Sequence, residues 1–216
     1  MKRLTLYCLL LPAFAMQVSA SLSTSFTSGF ANSGYIPDND FNGWSDTRNL
    51  NLSEYDGFTV TDVQVTLNIS GGWNGDLYGY LVHDSGFVLL LDRVGQTGTA
   101  GQTFGYGEAG FNGVTLVDGQ SLTSIQNYGG SYSAAGALDG GSYASSGGTL
   151  NTSFDGLSVN GDWTLYLADL SSGDISQVTG WTLTITAVPE PTTWAMLIFG
   201  GAFGCWHLSR WRAKRC

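Results

Sequence analysis

Hydrophobic and polar residues alternate one for one along three stretches of the chain. Val63, Val65, Leu67 and Ile69 fall on one side of an extended strand, with Asp62, Gln64, Thr66 and Asn68 on the other. Trp163, Leu165 and Leu167 interleave with Thr164, Tyr166 and Ala168, and Trp181, Leu183 and Ile185 with Thr182, Thr184 and Thr186. A period of two marks a strand with one buried face. Phe87 to Leu91 is apolar throughout and reads as a strand buried on both faces. Asn74-Gly75-Asp76, Asp84-Ser85-Gly86 and Ser172-Gly173-Asp174 carry turn chemistry between such runs. From 95 to 150 the chain is rich in Gly and Ser and the alternation weakens. Val114 and Leu116 suggest one strand there, Leu122 to Ile125 a short element, and Gly136 to Gly148 a long surface loop. The pattern predicts an all-β sandwich with jelly-roll or Greek-key connections.

The two ends follow different rules. Lys2 and Arg3 precede an apolar run from Leu4 to Met16, and Val18-Ser19-Ala20 then places small residues where a signal peptidase cuts. Thirteen apolar residues are too few to cross a bilayer core, which takes about 20, so residues 1–20 read as a secretory signal helix cleaved after Ala20. At the other end, Pro189, Glu190 and Pro191 interrupt the strand pattern. An apolar stretch from Thr192 to Leu208 reads as a transmembrane helix. Arg210, Arg212, Lys214 and Arg215 follow it and would stay on the cytoplasmic side. Residues 188–216 thus resemble the PEP-CTERM sorting signal in all three of its parts. That resemblance implies processing by an exosortase, transient anchoring in the inner membrane, and delivery to the outer surface or extracellular matrix of a Gram-negative bacterium that makes exopolysaccharide.

Setting the ends aside changes how the composition reads. All three cysteines (Cys8, Cys205 and Cys216) lie in the ends, so residues 21–187 form one domain without disulfides. Six of the eight Lys and Arg also belong to the ends, leaving Arg48 and Arg93. Sixteen of the seventeen acids remain, so the domain carries a formal charge of −14. Such a charge argues against nucleic acid, which is held through Lys and Arg on phosphates, and against docking on an anionic membrane. It suits divalent cations, neutral sugars or plain solubility.

The middle of the chain resembles the P/Homo B domain that follows the catalytic domain of subtilisin-like proprotein convertases. The likeness rests on Ile36-Pro37-Asp38-Asn39, the run Val63 to Ile69, Gly75-Asp76-Leu77, the turn Asp84-Ser85-Gly86, and Phe154-Asp155-Gly156. It is densest in Asn160-Gly161-Asp162-Trp163-Thr164-Leu165, Asp169, Gly173-Asp174 and Trp181-Thr182-Leu183. It implies a P-domain-type sandwich, with a surface protease of the subtilisin kind as an alternative partner. Gly71-Gly72 stands where the family often has His, and Gly107-Glu108-Ala109 where it has a stronger acidic cluster. No cation or docking role is carried over to those positions.

Candidate chemistry is limited. His83 is the only histidine of the domain. In His83-Asp84-Ser85 neighbouring side chains point to opposite faces and cannot assemble a nucleophile, base and orienting acid. The expectation is therefore a non-catalytic chain. Clustered His or Cys for a transition metal is absent from the domain. Asp38, Asp40, Asp76, Asp84, Asp169 and Asp174 sit at turns where carboxylates could converge on calcium, although the same residues serve as turn formers. Trp44, Trp73 and Tyr78, with Tyr80, Tyr106, Tyr128, Tyr132 and Tyr143, lie in or near loops where rings could stack on exopolysaccharide or simply cover sandwich edges.

Overall fold

A computed structural model describes residues 19–100 and 102–190. Residues 1–18 of the expected signal segment, Pro191 and the apolar stretch 192–208 lie outside the described residues, whereas Ala20 is described and lies in a strand. Among the described residues no helix is long and apolar enough to cross a membrane. The strands are β1 (Ala20–Phe26), β2 (Trp44–Leu50), β3 (Phe58–Gly71), β4 (Leu77–His83), β5 (Gly86–Asp92), β6 (Gly110–Leu116), β7 (Leu138–Asp139), β8 (Ser142–Tyr143), β9 (Gly161–Asp169) and β10 (Ser176–Pro189). One short helix, α1 (Leu150–Phe154), precedes β9. Ser19–Val188 form one folded unit; of the remainder only Pro189 and Glu190 are described.

The strands make a mostly-β, two-sheet sandwich. One sheet has the order β1-β10-β3-β6-β7, with β8 also on β6, and the other β2-β9-β4-β5. Chain neighbours are seldom sheet neighbours, so most pairings close long loops. The alternation decides which side chains enter the core. Val63, Val65, Leu67 and Ile69 of β3 are buried, as are Trp163, Leu165 and Leu167 of β9 and Trp181, Leu183 and Ile185 of β10. On the outer faces short hydroxyl side chains meet across strands: Ser23 with Thr184 (2.9 Å), Ser25 with Thr182 (2.8 Å), and Thr47 with Thr164 (2.8 Å). Such cross-strand pairs reinforce the register.

A tryptophan stands in each sheet's share of the core, and each indole N–H finds an acceptor, as buried indoles require. Trp163 donates to the Val159 carbonyl at 3.1 Å. Trp181 reaches across the sandwich to the Asp46 carboxylate of β2 at 2.7 Å. Arg48 Nε holds the same carboxylate oxygen at 2.7 Å, and its guanidinium lies over Phe26 and Phe30. The most buried acid of β2 is thereby neutralised by one of the domain's two bases.

Two expectations about elements are corrected. The run Phe87 to Leu91 is not buried on both faces: β5 is an edge strand, and Phe87 is 51% exposed. Opposite Gly79 and Tyr80 the register jumps from Leu91 to Leu89, so Leu90 is an extra residue. This bulge turns Leu90 and Leu91 inward together, and breaks the alternation that a reader of the sequence would need. The stretch 136–148 is likewise no free loop. β7 and β8 run parallel to β6, and Gly147 pairs with Leu89 at the edge of the other sheet.

Candidate functional site

Buried polar atoms need partners, and those without one mark places where something is missing or strained. Among the described residues four buried side-chain atoms have no hydrogen-bond partner: Trp73 Nε1, Asp76 Oδ1 (which has Arg93 as an ion-pair neighbour), Asp169 Oδ2 and Ser176 Oγ. All four gather at one end of the sandwich. Trp73 precedes, and Asp76 closes, the tight turn Asn74–Asp76 that leads into β4. Asp169 ends β9 directly opposite Leu77, the first residue of β4. Ser176 opens β10, and its side chain fills the space where a Cβ on Gly72 would sit, 1.8 Å from Oγ.

An open cleft of about 280 Å³ lies here, lined by Trp73, Asp76, Phe104, Ser171, Gly173 and Asp174 among others. The β9–β10 turn supplies one wall and the turn before β4 the other. Asp38 joins from the segment before β2, accepting from Gly173 N–H with both oxygens at 3.2 Å. Asp169 is 1% exposed, and only its Oδ1 is engaged, by Ser171 N–H at 3.2 Å. Burial, with the Asp76 and Asp38 carboxylates nearby, raises its pKa to about 6. Burial also raises Asp76, against the pull of Arg93, whose Nη2 stands 3.6 Å from Oδ1. Arg93 was not singled out in the sequence; its place beside Asp76 follows from β5 running back along β4, which only the sheet order reveals.

Of the six acids that the sequence offered as calcium ligands, four meet at this end: Asp38, Asp76, Asp169 and Asp174. Asp40 lies next to them through its N–H, which donates to the Asp169 carbonyl, but its carboxylate caps its own turn on Asn42. Asp84 does not belong. It occupies the hairpin after β4, at the opposite end of that strand from Asp76, about 25 Å away at the rise of an extended chain. Among the described residues no three His, Cys, Asp or Glu are grouped so as to hold a metal ion. A hard cation here would rest on the Asp76 and Asp169 carboxylates and draw the rest of its oxygen shell from backbone or water, as calcium does readily.

The aromatic candidates separate as well. Trp44 is no stacking platform: it is 3% exposed, donates to the Ala31 carbonyl at 2.9 Å and meets Phe30 edge-on. Trp73 is half-buried on the cleft wall. Tyr106 is buried against Tyr128 and Tyr132, where the Tyr128 hydroxyl donates to Glu108 at 2.6 Å. Tyr78 stands on the outer face of the four-stranded sheet beside Tyr80, Tyr166 and Phe87. Tyr166 and Phe87 belong to regular strands, where no local signal marks them as members of a surface group. Register alone brings them to Tyr80, and register is invisible before pairing is known.

His83 closes β4 but faces inward, 2% exposed. Its ring stacks on Trp163 at 3.9 Å, and its nitrogens lie 3.0 Å and 2.7 Å from the carbonyls of Asp162 and Ser158. At the sorting and cleavage positions, Ala20 begins β1 opposite Ala187, and Pro189 ends β10 with Glu190 following it.

No protein-family profile matches the chain, and no curated protein does. Among solved structures it is similar to the serine protease of Aeromonas sobria. The crystal structure of that protease with its chaperone aligns at a TM-score of 0.46 and 16% identity, and the protease alone at 0.45 and 15%. Each alignment covers 79% of this chain but 27% of the protease chain. The chain spans about a quarter of the length of the protease it is similar to.

Proposed function

We propose that this chain is an exported, non-catalytic surface or extracellular-matrix protein whose P-domain-type jelly roll is a binding and structural module that takes calcium at its acidic end. The observation that carries the calcium reading is Asp169 Oδ2, a buried carboxylate oxygen without a hydrogen-bond partner on a side chain 1% exposed, with the Asp76 and Asp38 carboxylates nearby. A buried carboxylate beside two others is costly when ionised, and a cation would repay that cost in a domain that has no disulfide to help it. Export and exosortase processing rest on the residues of the two ends, with signal peptidase acting at Ala20 and the tail processed near Pro189-Glu190-Pro191. The non-catalytic reading is supported by His83, whose ring nitrogens face backbone carbonyls in the core.

Calcium titration of the full chain in detergent tests the site. Millimolar calcium is expected to raise the melting temperature, EDTA to reverse the rise, and Asp169→Asn to abolish the response. A melting temperature indifferent to calcium and EDTA in the unmodified chain would remove the cation from this reading. The ordered resemblance to the P/Homo B domain favours a second reading, docking in trans on a subtilisin-like protease. Co-purification of such a protease with the tagged chain is its test.

A further inference from the structure

One face of the four-stranded sheet covers the core; the other carries a group of rings, of which Tyr166 alone also packs against the loop at Gly43. Tyr80 of β4 stacks on Tyr166 of β9, directly opposite in register, with centroids 4.5 Å apart and planes at 15°. Phe87 of β5 leans on the far side of Tyr80 at 5.2 Å, and Tyr78 meets its edge at 6.3 Å. Phe87 is 51% exposed. The Tyr166 hydroxyl donates to the Phe41 carbonyl, which ties to the row a loop whose own ring is 77% exposed. Single exposed rings are ordinary on a protein surface, but a contiguous group of them is not.

We infer that this face binds a neutral polysaccharide. The proposal rests on reading the chain as an exported binding module, and it names the ligand class for a surface separate from the acidic cleft. Two observations choose the occupant. First, the cross-strand rows Ser45–Tyr166–Tyr80–Leu89 and Thr47–Thr164–Val82–Phe87 contain no carboxylate and no basic group, the nearest acids standing outside them at Asp162, Asp92 and Asp40. In a domain of charge −14 this is a neutral window, unsuited to cations, to phosphate polymers or to a basic partner seeking carboxylates. Second, the row is only as wide as a few rings and is fringed by hydroxyls, with Thr47 and Thr164 paired beside it and Asp92 opposite Tyr78 at one rim. A sugar polymer needs this combination: apolar C–H faces lie on the free faces of the outer rings, and its hydroxyls meet tyrosine hydroxyls and rim acceptors. Aromatic side chains with a polar tip serve such half-wet surfaces well.

The test is affinity electrophoresis of the full-length chain in a detergent without a sugar headgroup, through native gels holding dextran, laminarin or hydroxyethylcellulose. Retardation by at least one of these glycans is expected. Tyr80→Ala with Tyr166→Ala should weaken it at least tenfold and Phe87→Ala several-fold. Tyr80→Phe should keep it, and Phe104→Ala, at the acidic cleft, should leave it unchanged. Circular dichroism establishes that each variant folds. Should the double variant not fold, Phe87→Ala and Phe41→Ala decide, since both rings are exposed in the native protein. Absence of retardation in all three glycans, or retardation undiminished in the folded ring variants, overturns the proposal. So does ring-dependent self-association of the chain in sedimentation without glycan retardation, which would make a second copy the occupant. None of these readouts depends on calcium or on where the cell delivers the protein, so a failure here leaves the module reading standing, and the reverse also holds.

Discussion

Asp169 shows how one side chain can bind the molecule's stability to pH. Its carboxyl is pushed up to about 6 from an ordinary value near 3.8, so the folded state holds its proton more tightly than the unfolded chain does. Where the folded state binds more protons, stability falls as pH rises. The unfavourable contribution therefore grows between about pH 4 and pH 6 and is fully present above that. In EDTA, the unmodified chain should melt at a lower temperature at pH 7 than at pH 5, and Asp169→Asn should flatten that difference and melt higher at pH 7. An unchanged slope in the variant would assign the pH dependence to other groups. His83 is a residue of the opposite kind, committed to the core by its ring stack and two carbonyl contacts. His83→Ala should cost roughly 3 kcal/mol in denaturant unfolding, the scale for emptying a buried aromatic site.

Among the elements, the strands that alternate cleanly were legible because each has one face in the core and keeps a single register: β3, β9 and β10. β5 was misread because a bulge on Leu90 interrupts its period. α1 left no periodic trace in five residues. It is held instead by the Asp118 carboxylate, which accepts from the N–H groups of Leu150 at 3.1 Å and Asn151 at 2.7 Å. A carboxylate 32 residues upstream is not a signal that local pattern can carry. The same limit applies to the candidate site: the acids of its turns could be named, but not that Asp84 sits at the wrong end of β4, nor that Arg93 stands beside Asp76. Gly72 illustrates a constraint that only packing reveals. With φ at +72° and Ser176 Oγ 1.8 Å from any added Cβ, Gly72→Ala should destabilise the fold by about 2 kcal/mol or more. Gly113 also has a positive φ but open space around it, so Gly113→Ala should cost no more than about 1 kcal/mol. Paired denaturant curves of the two variants separate contact from backbone strain.

For the whole molecule, charge is the dominant fact. Within residues 21–187, sixteen acids against two bases leave long-range repulsion that the fold must bear, and both bases are already committed, Arg48 to Asp46 and Arg93 beside Asp76. Salt screens such repulsion over about 10 Å at 0.1 M. The melting temperature should therefore rise between 20 mM and 500 mM sodium chloride in EDTA, and rise less once calcium is bound. A fall with salt would mean that the local pairs outweigh the global field.

The seven-residue pairing of β1 with β10 has one more consequence, which concerns time. Ser21 stands among the first residues of the sandwich to emerge and its partner Thr186 among the last. The opening strand must therefore wait, unpaired, while nearly the whole domain is made. Until β10 arrives, β3 also lacks its neighbour on that side, and half of the molecule cannot close. Folding is then an event of completion and not a gradual accretion, slow in the way of chains whose contacts are far apart. A nascent or truncated chain ending before Ser176 would be held in an open, protease-sensitive state until its final strand appears.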